Sequence, residues 1–316
     1  MRDKDTLLEK LRPRLTEIET WRLNQRAKGS KGTWIGTGIA ALGAIFFLFF
    51  PPAGIVIFIG GIITIIIVRA TGNSKFKKRF KNEIFPIVIE EVQPGVHYNS
   101  DSHISRPTFH ASRIFLQDVD RFNGEDYFSG TVGETHIEFS EIHAEDKQVR
   151  VDSKGRTRTE YVTVFKGLFF VTEFHKHFNG ETYVLPDLTE SWLGKFGRKL
   201  QKWNWRRPDL VELENVDFEK LFSVYGTDQI ESRYLLTPKM MELIMELRSK
   251  FGCTTHMSFL NDKFYIALSS HHDFFELKFS ESLMNSKGLE RLIFELQTCF
   301  DIVEDLQLNT RIWSKD

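Results

Sequence analysis

One uncharged stretch, Thr33–Val68, constrains this chain more than any other feature. Its sequence, TWIGTGIAALGAIFFLFFPPAGIVIFIGGIITIIIV, contains no Asp, Glu, Lys or Arg. A single helix of this length would extend about 54 Å at 1.5 Å per residue, far beyond the roughly 30 Å of a bilayer core. Pro51 and Pro52 lie in its middle and cannot continue a helix without loss of backbone hydrogen bonds. The stretch therefore predicts a transmembrane hairpin of two helices, residues 34–50 and 53–68, with its turn at Pro51-Pro52.

Basic residues on both sides of this stretch predict its orientation. Residues 1–32 contain nine Lys or Arg and five Asp or Glu, and residues 69–81 contain six Lys or Arg and no acidic residue. Because Lys and Arg beside a membrane segment favour the cytoplasmic side, we expect both termini in the cytoplasm. The competing interpretation is a helical hairpin buried inside a soluble protein. The long polar lead and the length of the apolar run argue against a secretory signal peptide.

The basic residues nearest the hairpin are expected to meet lipid headgroups, since an anionic leaflet attracts them. Those before it are Arg22, Arg26, Lys28 and Lys31. Those after it form a predicted headgroup collar of Lys75, Lys77, Lys78, Arg79 and Lys81.

Changes in sequence pattern predict an α+β fold in which the hairpin precedes a cytoplasmic body. Six segments are expected: 1–32, a cytoplasmic amphipathic helix; 33–68, the transmembrane hairpin; 69–98, a basic juxtamembrane helix capped near Asn73 or Ser74; 99–190, an antiparallel β-rich region; 191–211, a basic Trp-rich connecting helix; and 212–316, an α+β region. Alternating residues from about Tyr127, with clean alternation over Thr135–Phe139, predict the sheet, and Lys166-Gly167 is expected to interrupt it.

The C-terminal region predicts a β-α-β-β-α order. The expected elements are extended segments at Phe222–Tyr225 and Ser232–Leu236, a helix from Thr237-Pro238 to about Lys250, a β-hairpin over 254–268 and a helix over 289–306. Thr237 is a favourable N-cap, and proline is well tolerated at the first helical position.

A cluster of aromatic and basic residues marks the predicted connecting helix. Its candidate contact residues are Trp192, Lys195, Phe196, Arg198, Lys199, Lys202, Trp203, Trp205, Arg206 and Arg207. A tryptophan face surrounded by cations suits a helix lying on anionic lipid. Two alternatives stay open: a connecting helix that packs its apolar face on the sheet and leaves its lysines in water, and a helix that docks an acidic protein or RNA.

Several blocks resemble a bacterial family of unknown function, numbered 3137 among such domains. The blocks are Phe122–Glu145, Val164–Asp187, Phe222–Ile244 and the closing Leu308–Trp313. The resemblance implies an N-terminal membrane hairpin joined to a soluble part, in a bacterial inner (cytoplasmic) membrane. It implies no activity and no catalytic residue.

Catalytic and metal-binding signals are weak. Glu125 and Asp126, in a predicted Gly-Glu-Asp turn, are the candidate catalytic residues, because paired carboxylates serve acid–base chemistry. The simpler interpretation is a β-turn whose Asp binds its own backbone. The histidines show no zinc-ligand spacing, and neither a P-loop nor a nucleophile elbow is present. We therefore expect no metal and no cofactor. Cys253 and Cys299 are too isolated for a disulfide framework.

The sequence favours a membrane-anchored, non-enzymatic module that binds or scaffolds at the inner face of the membrane. One alternative is a hydrolase-like enzyme at Glu125 and Asp126, and another is a lipid-binding barrel of the pleckstrin-homology type, suggested by element order alone. The expected partners are membrane lipids and an unidentified protein, with no nucleic acid. Gly32-x-x-x-Gly36 leaves a homo-oligomer open, since this spacing permits close helix packing.

Overall fold

The computed structural model describes residues 4–151, 155–173, 179–187 and 207–306. The chain divides into two compact units. Unit 1 comprises Met1–Pro94 and Phe275–Leu296, and unit 2 comprises Gly95–Phe274 and Gln297–Asp316. Helices and antiparallel strands are both present, as an α+β fold requires.

The N-terminal segment of unit 1 contains two long helices and a short one: α1 (Lys4–Phe47), α2 (Pro51–Glu83) and α3 (Phe85–Val92). The predicted helical ends are partly wrong. α1 continues without a break from the amphipathic segment, with Pro13 inside it, and ends at Phe47 instead of Phe50. The chain turns at Leu48–Phe50, and Pro51 and Pro52 form the first turn of α2, where a missing backbone N–H costs no helical bond.

α2 also continues further than predicted. It passes through Asn73 and Ser74, so the expected helix start at these residues is wrong. α2 ends at Glu83, and Pro86 lies in the first turn of the next helix, α3. One helical stretch among the described residues, Pro51–Val92, is long and apolar enough to cross a membrane, and only 11% of its most apolar 18-residue window is buried.

Glycines allow α1 and α2 to pack closely and antiparallel. A Cβ atom on Gly43 would lie 2.4 Å from the backbone nitrogen of Phe58, and one on Gly61 would lie 2.5 Å from that of Ala40. Gly36, in the predicted oligomerisation motif, faces Gly61 and Ile65 of α2. Small residues at this interface therefore bring the two backbones together within one chain.

Unit 2 is built on one antiparallel sheet. Its strands are β1 (His97–Asn99), β2 (Arg121–Val132), β3 (Thr135–Val151), β4 (Thr157–Glu173), β5 (Glu181–Pro186), β6 (Asp209–Leu210), β7 (Phe222–Gly226), β8 (Thr254–Leu260) and β9 (Lys263–Ser269). The order across the sheet is β1-β2-β3-β4-β9-β8-β5-β7-β6. The described strands leave β1 and β6 at the two edges, so the barrel expected by analogy with pleckstrin-homology domains is absent from this part of the chain.

Buried aromatic side chains cover both faces of the sheet. On one face, Phe109 contacts Phe165 and Phe169, with ring centroids 5.9 and 5.0 Å apart. On the other face, Phe139 lies 5.0 Å from Phe170. Phe169 and Phe170 point to opposite faces because side chains alternate along a strand. Leu168–Val171 of β4 is therefore apolar and buried at every position.

β3 and β4 are longer than the sequence pattern predicts. Gly167 does not interrupt β4, which pairs with β3 on both sides of it and with β9 from Gly167 to Glu173. Its φ of +144° falls in a region that L side chains rarely adopt, and a Cβ atom there would lie 2.0 Å from the carbonyl oxygen of Leu268. Glycine is required at this point because a neighbouring backbone approaches too closely for any side chain.

Helices α4 (Arg106–Ala111), α5 (Val216–Leu221), α6 (Gln229–Leu235) and α7 (Pro238–Phe251) lie between strands of unit 2. The last helix, α8 (Ser286–Asp305), follows β9; it begins in unit 1 and ends in unit 2. The prediction that Ser232–Leu236 is extended is wrong. Asp228 caps α6 by accepting the backbone N–H groups of Ile230 and Glu231, and this cap outweighs the weak strand propensity that follows. The predicted helix after Thr237 is confirmed as α7.

Candidate functional site

Glu125 and Asp126 lie within strand β2, so their predicted position in a turn is wrong. Glu125 is the register partner of Glu141 on β3, and the pairing shifts at a β-bulge between Glu125 and Phe128. Asp126 occupies this bulge with a φ of +57°. Bulges redirect side chains, and this one brings Asp126 beside Glu141.

Asp126 is completely buried and held by strand β1 and the turn after it. The hydroxyl of Tyr98 donates to Asp126 Oδ1 at 2.6 Å, and the Asp126 backbone N–H donates to the carbonyl of Ser100 at 3.2 Å. Burial, followed by the charge of Asp126, raises the pKa of Tyr98, so this hydroxyl keeps its proton. A buried carboxyl group needs a hydrogen-bond partner, and the Tyr98 hydroxyl supplies one to Asp126.

Glu141 is the residue of this site that sequence reasoning missed. Its side chain is 5% exposed, and its Oε2 accepts the backbone N–H of Phe274 at 3.1 Å. Burial, with a contribution from the negative charge of Asp273, raises the pKa of Glu141 to about 8. Glu141 is therefore mostly protonated at neutral pH. No local pattern marks it, because it meets Glu125 through strand register.

Carboxylate oxygens of Glu125, Asp126 and Glu141 all lie within 4.8 Å of one another. Hard cations such as Ca²⁺ and Mg²⁺ bind oxygen ligands of this kind. Burial and the neighbouring acids favour the protonated form of Glu141, which lowers the negative charge of the group. Among the described residues, this is the only group of three or more acidic, His or Cys side chains close enough to share an ion.

Two of the three carboxyl groups, those of Glu125 and Glu141, line a cleft of about 440 Å³. Lys166 and Asp273 also line it, and their side chains form an ion pair at 2.7 Å. The cleft therefore contains one cation among several acids, which makes it a polar site with few apolar contacts.

Unit 2 also contains a second, larger cavity of about 1120 Å³, and Lys166 lines both. Strand β4 supplies Val164 and Phe165, helix α7 supplies Met245 and Ser249, and strand β8 supplies His256. Sequence reasoning did not find this cavity, because its walls come from segments that are far apart in the chain.

The predicted basic contact helix lies almost entirely outside the described residues. Of its candidates, Trp192, Lys195, Phe196, Arg198, Lys199, Lys202, Trp203, Trp205 and Arg206 fall there. Arg207 is described, and its guanidinium donates to the carbonyls of Arg113 and Ile114 and lies 4.6 Å from the ring centre of Tyr183. Burial lowers the pKa of Arg207. This guanidinium is thus used in packing within unit 2.

The predicted headgroup collar is divided by its contacts in unit 1. Lys75 and Lys78 are exposed. Lys77 binds Glu276, Arg79 binds Glu83 at 2.9 Å, and Lys81 is buried. Three of the five side chains are therefore paired or buried within unit 1. The other two, Lys75 and Lys78, are exposed to solvent.

Arg22 also departs from its predicted exposed position. Its side chain is 2% exposed and donates to Glu19, which precedes it by one turn in α1. It donates as well to the carbonyl of Phe279 at 2.9 Å. Arg22 is consequently part of the interior of unit 1 and is not one of the exposed cations beside the apolar stretch.

Comparison with family models matches residues 163–308 to a family described as a protein of unknown function, DUF3137. The match confirms the resemblance inferred from the sequence. Two of the blocks that suggested it, Val164–Asp187 and Phe222–Ile244, lie inside the matched residues.

Comparison with curated proteins finds no match. Among solved structures, the crystal structure of the mycobacterial trehalose monomycolate transport factor A, TtfA, is similar at 10% sequence identity, over 66% of this chain and 88% of that chain, with a TM-score of 0.29. A likeness at this level supports no inference about fold or function.

Proposed function

We propose that this chain, which matches family DUF3137 over residues 163–308, is a membrane-anchored binding module. In this proposal α1 and α2 cross the inner membrane of a bacterium as an antiparallel pair. Unit 2 lies in the cytoplasm and binds its ligand there without catalysing a reaction. The observation that carries the anchor is the exposed apolar surface of α2.

The apolar side chains of α2 supply a surface that suits lipid. Val56, Ile59 and Ile66 are 71, 48 and 59% exposed. Contiguous exposed apolar surface of this extent marks an interaction site or a membrane contact. Eighteen helical residues extend about 27 Å, which is close to the thickness of a bilayer core.

The close packing of α1 against α2 supports a crossing by both helices. Gly36 faces Ile65 near one end of the apolar stretch, and Phe47 faces Gly54 near the other. Residues 36–47 of α1 therefore lie alongside residues 54–65 of α2. If one segment lies in lipid, its packed neighbour occupies the same depth, and the chain returns to the side from which it entered.

Charge supports the cytoplasmic orientation. The exposed cations beside the apolar stretch include Lys28, Lys31, Arg69, Lys75 and Lys78, and all of them are on the side of the pair opposite the turn. The turn at Leu48–Phe50 carries no charge. Positive residues are retained on the cytoplasmic side during insertion.

Carbonate extraction of membranes tests the anchor. The full chain is expected to remain in the membrane fraction. Ile59→Glu combined with Ile66→Glu places two charges on the exposed face of α2 and should move most of the protein to the soluble or aggregated fraction. Ile230→Glu, at a residue 80% exposed in unit 2, is the matched control and should leave the distribution unchanged. Release of the unaltered chain by carbonate would contradict the anchor.

Acid–base chemistry at Glu125, Asp126 and Glu141 is a second candidate function. It is favoured by the raised pKa of Glu141, since a protonated carboxyl beside an ionisable one is the usual arrangement of a general acid. A panel of ester, glycoside and phosphoester substrates tests it. Hydrolysis that Glu141→Gln abolishes while the fold is kept would support an enzyme, and no turnover of any substrate would leave the binding module as the better account.

A further inference from the structure

Strands β3 and β4 continue together as a two-stranded ribbon beyond the rest of the sheet. β2 pairs with β3 no further than Glu145, and β9 pairs with β4 only from Gly167 onward. Between these limits, residues 146–151 of β3 pair with residues 157–162 of β4 and with no other described strand. A two-stranded hairpin on its own is marginally stable in water, so a further strand at one edge would stabilise this ribbon.

The edge of β4 is the more open of the two edges. On the β3 side, the carboxylate of Asp120 accepts the backbone N–H of Lys147 at 2.7 Å, which occupies part of that edge. On the β4 side, no backbone hydrogen bond joins residues 157–161 to a described residue outside β3. Residues 157–160 are all exposed. A row of unpaired backbone groups on an exposed strand is a template for pairing with another chain.

The charges on this edge are complementary to themselves. Its sequence, TRTEY over Thr157–Tyr161, contains one Arg and one Glu and no Pro. Side chains two residues apart point to the same face of a strand, so Arg158 and Glu160 share a face. When two copies of a surface meet about a two-fold axis, residue i contacts residue j and j contacts i. An Arg and a Glu on one strand can therefore each meet the other on a second copy.

One register satisfies both charges. In an antiparallel pair related by a two-fold axis, facing residues lie on the same side of the sheet, so the pairing is centred on a residue. Centring on Thr159 places Arg158 opposite Glu160 of the second copy, twice in each dimer. Centring on Arg158 or Glu160 places like charges opposite each other, which is destabilising. Centring on Tyr161 leaves both charges opposite uncharged residues.

A charge conflict inside the ribbon favours the same register. Arg150 and Arg158 are register partners, so two cations face each other across β3 and β4. Arg150 also pairs with Glu160 of its own chain at 3.4 Å, whereas Arg158 has no ion pair with any residue that the structure describes. A carboxylate from a second copy beside Arg158 would offset the repulsion between the two arginines.

The uncharged residues of the edge also match in this register. Thr159 would lie opposite Thr159 of the second copy, and Thr157 would lie opposite Tyr161. Thr–Thr pairs, and pairs of an aromatic with a β-branched residue, are among the favourable cross-strand neighbours in antiparallel sheets.

We propose that residues 157–161 of β4 bind the same edge of a second copy of this chain, antiparallel and centred on Thr159. The two ribbons then form one four-stranded sheet in the order β3-β4-β4-β3. Five residues from each chain make a small interface, of the size that weak and transient assemblies use. The inference goes beyond membrane anchoring and does not depend on it.

Disulfide trapping of the full chain in isolated membranes tests the pairing. Thr159→Cys places two thiols on facing residues, whose Cα atoms in an antiparallel pair lie about 4.5–5.5 Å apart, within reach of a disulfide. Thr157→Cys is the matched control, exposed and on the same face. Its two thiols would lie on Cα atoms about 14 Å apart along the strands, at roughly 3.4 Å per residue, which a disulfide cannot span. The native cysteines are buried.

After oxidation with copper phenanthroline, non-reducing electrophoresis measures the covalent dimer. Thr159→Cys should give at least fivefold more dimer than Thr157→Cys. Equal yields from the two variants, or no dimer from Thr159→Cys, would overturn the proposal. The same comparison on the purified chain in detergent micelles keeps this result separate from the proposed anchor.

Charge reversal in the Thr159→Cys chain tests the register. Arg158→Glu places like charges opposite each other and should lower the dimer yield at least fivefold. Adding Glu160→Arg restores opposite charges and should return at least half of the lost dimer. Lys147→Glu makes the same change of charge on β3 and is the matched control, which should leave the yield unchanged. Failure of the double reversal to restore the dimer would contradict the register.

Discussion

Arg22 donates two hydrogen bonds to the carboxylate of Glu19, at 2.6 and 2.8 Å, one turn apart on α1. Glu19 also accepts the hydroxyl of Ser282 at 2.8 Å and the backbone N–H of Leu283 at 3.0 Å. The pair therefore joins α1 to a segment more than 250 residues later, within unit 1. It is buried, and each charge has several partners, as a stable buried ion pair requires.

Glu19→Gln should destabilise unit 1. The substitution leaves the buried guanidinium of Arg22 without its counter-charge, and loss of one partner of a buried pair costs about 3 kcal/mol of the free energy of unfolding. Glu17→Gln is the matched control: Glu17 pairs with Arg79 at 3.0 Å but is 55% exposed, so its loss should cost less than about 1 kcal/mol. Urea unfolding followed by circular dichroism measures both. Equal losses of unfolding free energy in the two variants would show that the buried Glu19–Arg22 pair stabilises unit 1 no more than the exposed Glu17–Arg79 pair does.

The Glu19 carboxyl should also make stability depend on acidity. Arg22, as the main hydrogen-bond donor, lowers the pKa of Glu19 to about 2 from its usual 4.5. A lowered pKa in the folded state contributes stability above pH 4.5 that is lost as pH falls toward 2. The difference in unfolding free energy between the unaltered chain and Glu19→Gln should shrink steadily across this window. A difference that stays constant from pH 5 to pH 2 would be inconsistent with the lowered pKa.

Glu141 should have the opposite dependence. Its raised pKa of about 8 means that the unfolded state releases this proton above pH 4.5 while the folded state keeps it. Stability is therefore lost as pH rises from about 4.5 to 8, by on the order of 1 kcal/mol per pH unit. Glu141→Gln should remove this loss, since its amide oxygen can still accept the Phe274 N–H. Glu138→Gln, on the same strand, should keep the dependence of the unaltered chain. Parallel curves for all three proteins between pH 5 and pH 8 would exclude this role.

Adjacent glycines of α2 test the α1–α2 contact. Gly61→Ala should lower stability by about 1–3 kcal/mol, because its Cβ would lie 2.5 Å from the backbone of α1 and force the helices apart. At Gly60 a Cβ would meet nothing within 4 Å, so Gly60→Ala should be neutral or slightly stabilising through helix propensity. Loss of helicity on titration with SDS provides the measurement. A larger effect at Gly60 than at Gly61 would refute the observed packing.

Features set by nearby residues could be predicted from the sequence. The apolar stretch, the helix opened by Thr237 and Pro238, and the β-hairpin after Thr254 each depend on a local pattern, and each is present in the structure. The sheet was also expected, although the lengths of β3 and β4 were not. Their extension depends on cross-strand pairing around Gly167, which no single strand reveals.

Features set by distant contacts could not be predicted. Asp126 follows a glycine and an acid, which locally favours a turn, but pairing with β3 holds it in a bulge. Glu141 becomes part of the acidic cluster only through strand register. Arg22 has the sequence position of a headgroup cation, yet a segment near Phe279 buries it. The large cavity of unit 2 could not be predicted from the sequence either, because the residues that line it, such as Phe115, Val164 and Met245, are far apart in the chain.

Cysteine accessibility in intact bacterial cells tests the membrane account most directly. Phe49→Cys places a thiol in the turn between α1 and α2, and Lys28→Cys places one beside the opposite end of the apolar stretch; the two native cysteines are buried. With a sulfonated maleimide that does not cross the inner membrane, we predict that the thiol at 49 reacts in intact cells and the thiol at 28 reacts only after lysis. Reaction at 28 with protection at 49 in intact cells would contradict the account.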